Sequence, residues 1–455
     1  MDGPATIQGL PNELLDIILG YLESPAPADA WLKCSPSSGA VSSSDCQQPL
    51  KSASLVSKKW RDVANQHLFR RVVWRVDKTA VQGLETEIDR SGAISPLRFV
   101  RDNELVPYVD SFTMVVNDQP VQKSVPSDII LSDFAPEKRV TYDTDMNWLW
   151  ATILEDIDPL RLTLVASPKT LAWLFSRMIF LADEWCFSAS HHIVSLSRES
   201  RQTLEIVSRT GQDASDSGSD STTTNSSAAS SRTSVSSYMS RRPTRRTPCN
   251  LFTMKPWASV LLNEGSNSRV YKVYEYSLKR PPSILGALLG CEEHPNNTPL
   301  LPHSVRNLSY ICDSPVSSHW NVVIRFLPRL DKFYFRVSAP TPPPSPFRPG
   351  HNAESNYAAL RRNDLYLSLM RAAFGKRRAN GNSSINWRYL QEIESGDQDN
   401  ESCMYLMENN FVAQREKRGW AIVRPGFIRD ETVPIPLPGE DDEGDAWSDS
   451  DSDWL

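Results

Sequence analysis

Leu14, Ile18 and Leu22 recur at a four-residue step near the start of the chain, and Leu15 and Ile17 widen the stripe. That spacing predicts an amphipathic helix. Pro11 stands where a helix can begin, because its fixed φ and missing N–H cost little in the first turn. Glu13 complements the positive end of the helix dipole. A module this small cannot hide so much apolar surface by itself, so something else must cover the stripe. By periodicity alone it reads as an ordinary core helix. Residues 23–49 then lose the period and turn rich in Ser, Pro, Ala and Gly. They predict a flexible excursion, cheap to close because loop entropy grows only logarithmically with length. Trp31-Leu32 within it is an isolated apolar pair, read as incidental. From Ser52 to Leu68 the helical period returns, with Val56, Trp60, Val63 and Ala64 on one face and Lys58, Lys59, Arg61 and Asp62 solvated. Arg71 to Val76 alternates, which marks a strand and the handover to a second region.

Downstream, Ser111 to Val116, Leu160 to Val165, Arg269 to Leu278, Val305 to Ile311 and Asp331 to Val337 read as strands. Trp148 to Ile157, Lys169 to Leu181 and Trp320 to Leu327 read as helices, the second opened by a Ser167 cap and Pro168. Helix-then-strand order, repeated, predicts parallel strands and right-handed winding. The last two strands are about 25 residues apart, within the leucine-rich-repeat range, while the other spacings are longer and irregular. A helix over Tyr357 to Phe374, a strand around Trp387 to Ile393, a helix around Met404 to Lys417 and a strand at Trp420 to Arg424 complete the ordered part. Thr210 to Ser240 is dominated by small polar residues and cannot bury enough surface to repay ordering. A basic run, Arg241 to Arg246, follows it, and Ala339 to Gly350 is proline-rich and expected to be extended.

The first two apolar stretches resemble the F-box, a small helical module that docks substrate receptors onto the Skp-type adaptor of cullin ubiquitin ligases. The resemblance rests on Leu10, Pro11, Glu13, Leu14, Ile17, Ile18 and Leu22, then Leu55, Val56, Ser57, Lys58, Lys59 and Trp60, in that order. One departure is the inserted excursion from Glu23 to Pro49, where the family usually has a few residues. The resemblance implies a break between two short helices at Ser57. It also implies an adaptor-binding set of Leu10, Pro11, Leu14, Ile17, Ile18, Leu22, Leu55, Val56 and Trp60. The C-terminal region resembles that of fungal F-box proteins at Tyr276 to Pro282 and at Leu327-Pro328-Arg329-Leu330.

The expected fold is therefore mixed α/β. It has a short all-α F-box at residues 1–70, then an irregular leucine-rich-repeat-like α/β solenoid in two parts, 71–208 and 251–430. A disordered insertion at 209–250 and an acidic disordered tail at 431–455 complete the division. A compact α+β domain is the alternative to the solenoid.

Composition narrows the function classes. A net charge of −6 argues against a general nucleic-acid binder. Seven unpaired-looking cysteines fit reduced thiols inside a cell, cytoplasmic or nuclear. Residues 1–8 carry no secretory signal, and the greasiest segment, Thr170 to Phe180, is too short to span a bilayer, so no membrane partner is expected. No phosphate loop, nucleophile elbow or paired-cysteine motif occurs, and neither catalysis nor a cofactor is expected. Cys291, Glu292, Glu293 and His294, with His303, Cys312 and His319 beyond, are the nearest thing to a zinc set but lack its paired spacing. His191-His192 reads as a helix-edge pair. Ser448 and Ser450 each precede an acidic residue by three positions, which suits an acid-directed kinase. The resemblance implies a substrate-recognition subunit, partnered by the adaptor, cullin through it, and an unidentified protein target. The alternative is a non-degradative scaffold or nuclear cofactor that uses the solenoid and the acidic tail.

Overall fold

The computed structural model describes residues 10–23, 32–33, 48–81, 83–84, 94–117, 146–177, 191–201, 248–264, 283–292, 296–312, 317–337, 363–370, 389–398, 400–415 and 419–431. Three short helices come first. Helix α1 (Asn12–Tyr21) starts directly after Pro11, whose carbonyl accepts from Leu15 N at 3.1 Å. Helices α2 (Gln48–Ser54) and α3 (Lys58–Phe69) are parted at Ser57, whose hydroxyl accepts the Trp60 N–H at 3.2 Å. That cap satisfies one of the orphan donors of a helix start. The helical stretch from Ser52 to Leu68 is thus two helices, with the break at Ser57 that the resemblance implies.

Arg70 alone separates α3 from strand β1 (Arg71–Asp77), which opens a large sheet. Helix α4 (Ser95–Asp102), β2 (Ser111–Asn117), α5 (Asn147–Asp156), β3 (Arg161–Ala166), α6 (Pro168–Leu174) and β4 (His192–Ser197) follow. Next come β5 (Ser259–Glu264), α7 (Ile284–Leu289), β6 (Asn307–Cys312), α8 (Ser317–Phe326) and β7 (Lys332–Arg336). Last are β8 (Glu392–Ser395), α9 (Glu401–Arg415), β9 (Trp420–Arg424) and β10 (Phe427–Asp430). The sheet has ten strands in the order β1-β2-β3-β4-β5-β6-β7-β8-β10-β9, open at β1 and β9. Strands thus neighbour one another in chain order up to β8, and the fold is mixed α/β.

The expectation of parallel strands throughout is corrected. Four pairings are antiparallel: β3 with β4, β4 with β5, β8 with β10 and β10 with β9. The reason is where the chain re-enters the sheet. His192 opens β4 opposite Ala166, the last residue of β3, so β4 starts at the end its neighbour left and must run back. Strands β4 and β5 themselves were not expected. His192 is therefore no helix-edge residue but lies buried in β4, where burial holds its imidazole down at about 3.

Alternation divides each strand between two faces. Phe112, Met114 and Val116 of β2, with Leu162 and Leu164 of β3, join Trp150, Leu171, Leu285 and Trp320 from the helices in one apolar core. A run of rings tightens its later half. Tyr310 stacks on Trp320 with centroids 5.4 Å apart, Trp320 on Phe333 at 6.2 Å, and Phe335 meets Tyr366 edge-on at 5.3 Å. Such contacts add to the large area each ring buries. Buried polar groups are anchored at the start of α7. The Glu264 carboxyl accepts from Ser283 Oγ at 2.6 Å, Ile284 N at 2.7 Å and Tyr310 Oη at 2.5 Å. Burial still pushes its pKa up, against those bonds. Gly290 ends α7 at φ 71°, and a Cβ there would lie 2.5 Å from Pro299 N.

The zinc-like residues disperse. Cys291 is buried with its thiol donating to the Gly286 carbonyl at 3.4 Å, and Glu292 accepts from Ser283 N at 3.0 Å. Glu293 and His294 lie outside the described residues, and among the described residues no three His, Cys, Asp or Glu converge as ligands would. No helix among the described residues is long and apolar enough to cross a membrane. The expected strand Arg269 to Leu278, the tracts at 210–246 and 339–350, Tyr276 to Pro282, Ser448 and Ser450 also lie outside the described residues. Trp31-Leu32 needs revision too: Leu32 packs on Val115, Val165 and Ile193, on the sheet face opposite the helices.

Candidate docking face of the N-terminal helices

Helix α1 carries two apolar stripes rather than one. Leu15 and Leu19 point inward and are fully buried against Leu50, Ala53, Trp60, Val63 and Ala64 of the next two helices. Leu14, Ile17, Ile18 and Tyr21 form the other stripe, at steps of three, one and three residues, and all are exposed. A helix apolar on both sides needs cover on both sides. The inner stripe has it within the module; the outer one has none among the described residues.

The turn between α2 and α3 extends the exposed stripe. Leu55 is 75% exposed and Val56 is also exposed, both held just before the Ser57 cap. Leu55 N and Val56 N donate to the Ser52 and Ala53 carbonyls at 3.2 and 3.1 Å, which finishes α2 as a tight turn. The resulting surface presents six large apolar side chains, and Tyr21, 86% exposed, is the most open of them. Tyr21 was not among the residues singled out from the sequence, although its seven-residue step from Leu14 places it on the same stripe.

The remaining adaptor-set residues sit elsewhere. Trp60 is 8% exposed and belongs to the core beneath the face, so it supports the surface rather than forming it. Leu10 and Leu22 are partly buried against the same core, and Pro11 is exposed at the helix start. The Lys59 ammonium reaches back to the Leu10 carbonyl, tying the entry of α1 to the first turn of α3.

A polar junction fixes the module against the sheet. His67 lies between Asp16, 2.8 Å from Nε2, and Glu23, 3.4 Å from Nδ1. Arg70 donates to Glu23 at 3.1 Å, and its carbonyl accepts from both Asp110 N and Ser111 N at 2.9 Å. Phe69 packs on Phe99 of α4 with ring centroids 6.2 Å apart. The exposed apolar face thus belongs to a module pinned to β1 and β2.

The F-box-like family model matches residues 7–75, which takes in all three helices and most of β1. No curated protein and no solved structure matches the chain. The matched span holds both apolar stripes, the capped break at Ser57 and the exposed turn at Leu55-Val56, and the chain carries an F-box-like domain there.

Proposed function

We propose that the chain is the target-recognition subunit of a Skp–cullin–F-box ubiquitin ligase. The observation that carries this is the uncovered face of Leu14, Ile17, Ile18, Tyr21, Leu55 and Val56 on an F-box-like module. Burying each such side chain is worth about 1.5–3 kcal/mol in transfer terms. Six of them exceed what an exposed surface of this size carries without purpose, even after the costs of association are subtracted. The adaptor covers this face, and cullin joins through the adaptor. The chain does no bond chemistry: it holds a protein target near the ubiquitin-conjugating enzyme, and proximity does the rest.

The sheet is the target-binding part. Its strands follow chain order as far as β8, with the described helices on one face and side chains of the other face left to recognise a partner. The test is affinity purification of the full chain from cells. Wild type brings down adaptor and cullin together, and Leu14→Asp/Leu55→Asp brings down neither. Adaptor recovered without cullin refutes the ligase reading, and equal recovery from both chains refutes the docking face.

A further inference from the structure

One row of side chains on the sheet face opposite the described helices runs in register from β2 to β7: Val115, Val165, Ile193, Asn263, Ile311 and Arg336. A dipeptide from the excursion between α1 and α2 lies along it. The Leu32 side chain packs on the buried cluster of Val115, Val165 and Ile193. Its carbonyl accepts from Asn263 Nδ2 at 3.2 Å. Further along, the Arg336 guanidinium donates to the Lys33 carbonyl at 3.1 Å. The Lys33 ammonium lies 4.1 Å from the ring centroid of Tyr334, which neighbours Arg336 on β7.

These contacts have the composition of a peptide-reading site. Asn263 and Arg336 bind main-chain carbonyls, which any extended segment offers. Leu32 occupies an apolar seat that a polar side chain would leave at a desolvation cost. Tyr334 offers a π-face that selects a cation at the next position. Hydroxyls line the adjoining row, where Thr163 and Ser195 meet at 2.9 Å. None of the contacts on Leu32 or Lys33 belongs to the strand pairing of the sheet, which is complete across β2 to β7 without them.

We propose that this row is the target-recognition site, that it takes an extended segment with a large apolar residue followed directly by Lys or Arg, and that Leu32-Lys33 occupies it in cis as a mimic of that segment. The proposal deepens the target-receptor reading and rests on it. The excursion then has a function: it masks the site until a target outcompetes it. Covalent tethering supplies an effective concentration of roughly 1 mM, so a segment with an intrinsic Kd of about 100 μM masks the site about tenfold.

The test uses the full chain and a fluorescein-labelled peptide of residues 28–37 with Cys34→Ser, followed by anisotropy. The peptide binds Leu32→Ser/Lys33→Ser at least about tenfold more tightly than wild type, as the tether arithmetic requires. Adding Tyr334→Ala to that variant abolishes the gain, and a peptide carrying Lys33→Glu does not bind. A single Lys33→Glu chain, altered only at an exposed side chain, shows the same gain and guards against misfolding of the double variant. Equal peptide binding by wild type and both released chains, or none by any, overturns the proposal and leaves Leu32 as a simple cover for an apolar patch. Peptide binding needs no adaptor, so failure of adaptor recovery by wild type refutes the ligase reading while this result stands by itself.

Discussion

Replacing Glu292 by Gln removes a titrating group from beside the start of α7. In the folded chain the Glu292 carboxyl is partly buried and accepts from Ser283 N at 3.0 Å and Asn296 Nδ2 at 3.1 Å. Burial pushes its pKa up from 4.5 to about 7, the Ser283 and Asn296 bonds and Arg177 pulling down and Glu264 pushing up. A raised folded-state value means the folded chain keeps this proton after the unfolded chain has released it. The contribution of Glu292 to stability is therefore whole below pH 4.5 and is lost as pH rises to about 7. The slope is about 1.4 kcal/mol per pH unit, so the loss sums to about 3 kcal/mol over that window. Glu264 shifts in the same direction and adds to the decline. Denaturant unfolding of wild type and Glu292→Gln at pH 5 and pH 8 measures the effect. The stability difference between the two moves by about 2.5 kcal/mol in favour of the variant at the higher pH. A constant offset at both pH values refutes the reasoning, because a structural defect alone carries no proton linkage.

Three further outcomes follow from packing. Leu19→Ala, which empties a fully buried site between the F-box helices, costs about 2–5 kcal/mol, whereas Ile17→Ala on the outer stripe stays within about 0.5 kcal/mol. Circular dichroism melts separate them, and equal losses contradict the division of α1 into two stripes. Ser57→Ala removes the cap of α3 and lowers stability by about 1 kcal/mol in the same assay. Gly290→Ala forces a side chain at φ 71° and into the backbone of Pro299, and it destabilises by more than about 1 kcal/mol; a neutral melt contradicts the left-handed turn.

The F-box was legible because its signals are local. Leu-Pro before an acidic first turn, and Leu-Val-Ser-Lys-Lys-Trp before a helix, each specify a start or a cap with neighbours only a few positions away. Which apolar residue of α1 faces inward was harder. Leu14 and Leu15 differ by 100° of helix rotation, and only the positions of Leu50 and Trp60 decide which is buried. The sheet divides the same way. Strands β1, β2, β3, β6 and β7 announce themselves by β-branched or alternating runs between helices. Strand β4, His192 to Ser197, is buried on both faces apart from its last residue, so it shows little alternation, and β5 follows a long polar tract. The reversal of β4 depends on where the chain re-enters the sheet, which no local pattern encodes. Leu32 and Lys33 lay beyond reach for the same reason: their partners Asn263 and Arg336 stand more than two hundred positions away.

The most direct test is calorimetric titration of purified full chain with a purified Skp-type adaptor. Wild type binds in a one-to-one complex. Leu14→Ala/Leu55→Ala, which trims the exposed face and leaves the core of Leu15, Leu19 and Trp60 intact, binds at least about thirtyfold more weakly, equivalent to ~2 kcal/mol. Unchanged affinity of a variant that melts like wild type contradicts the account at its centre.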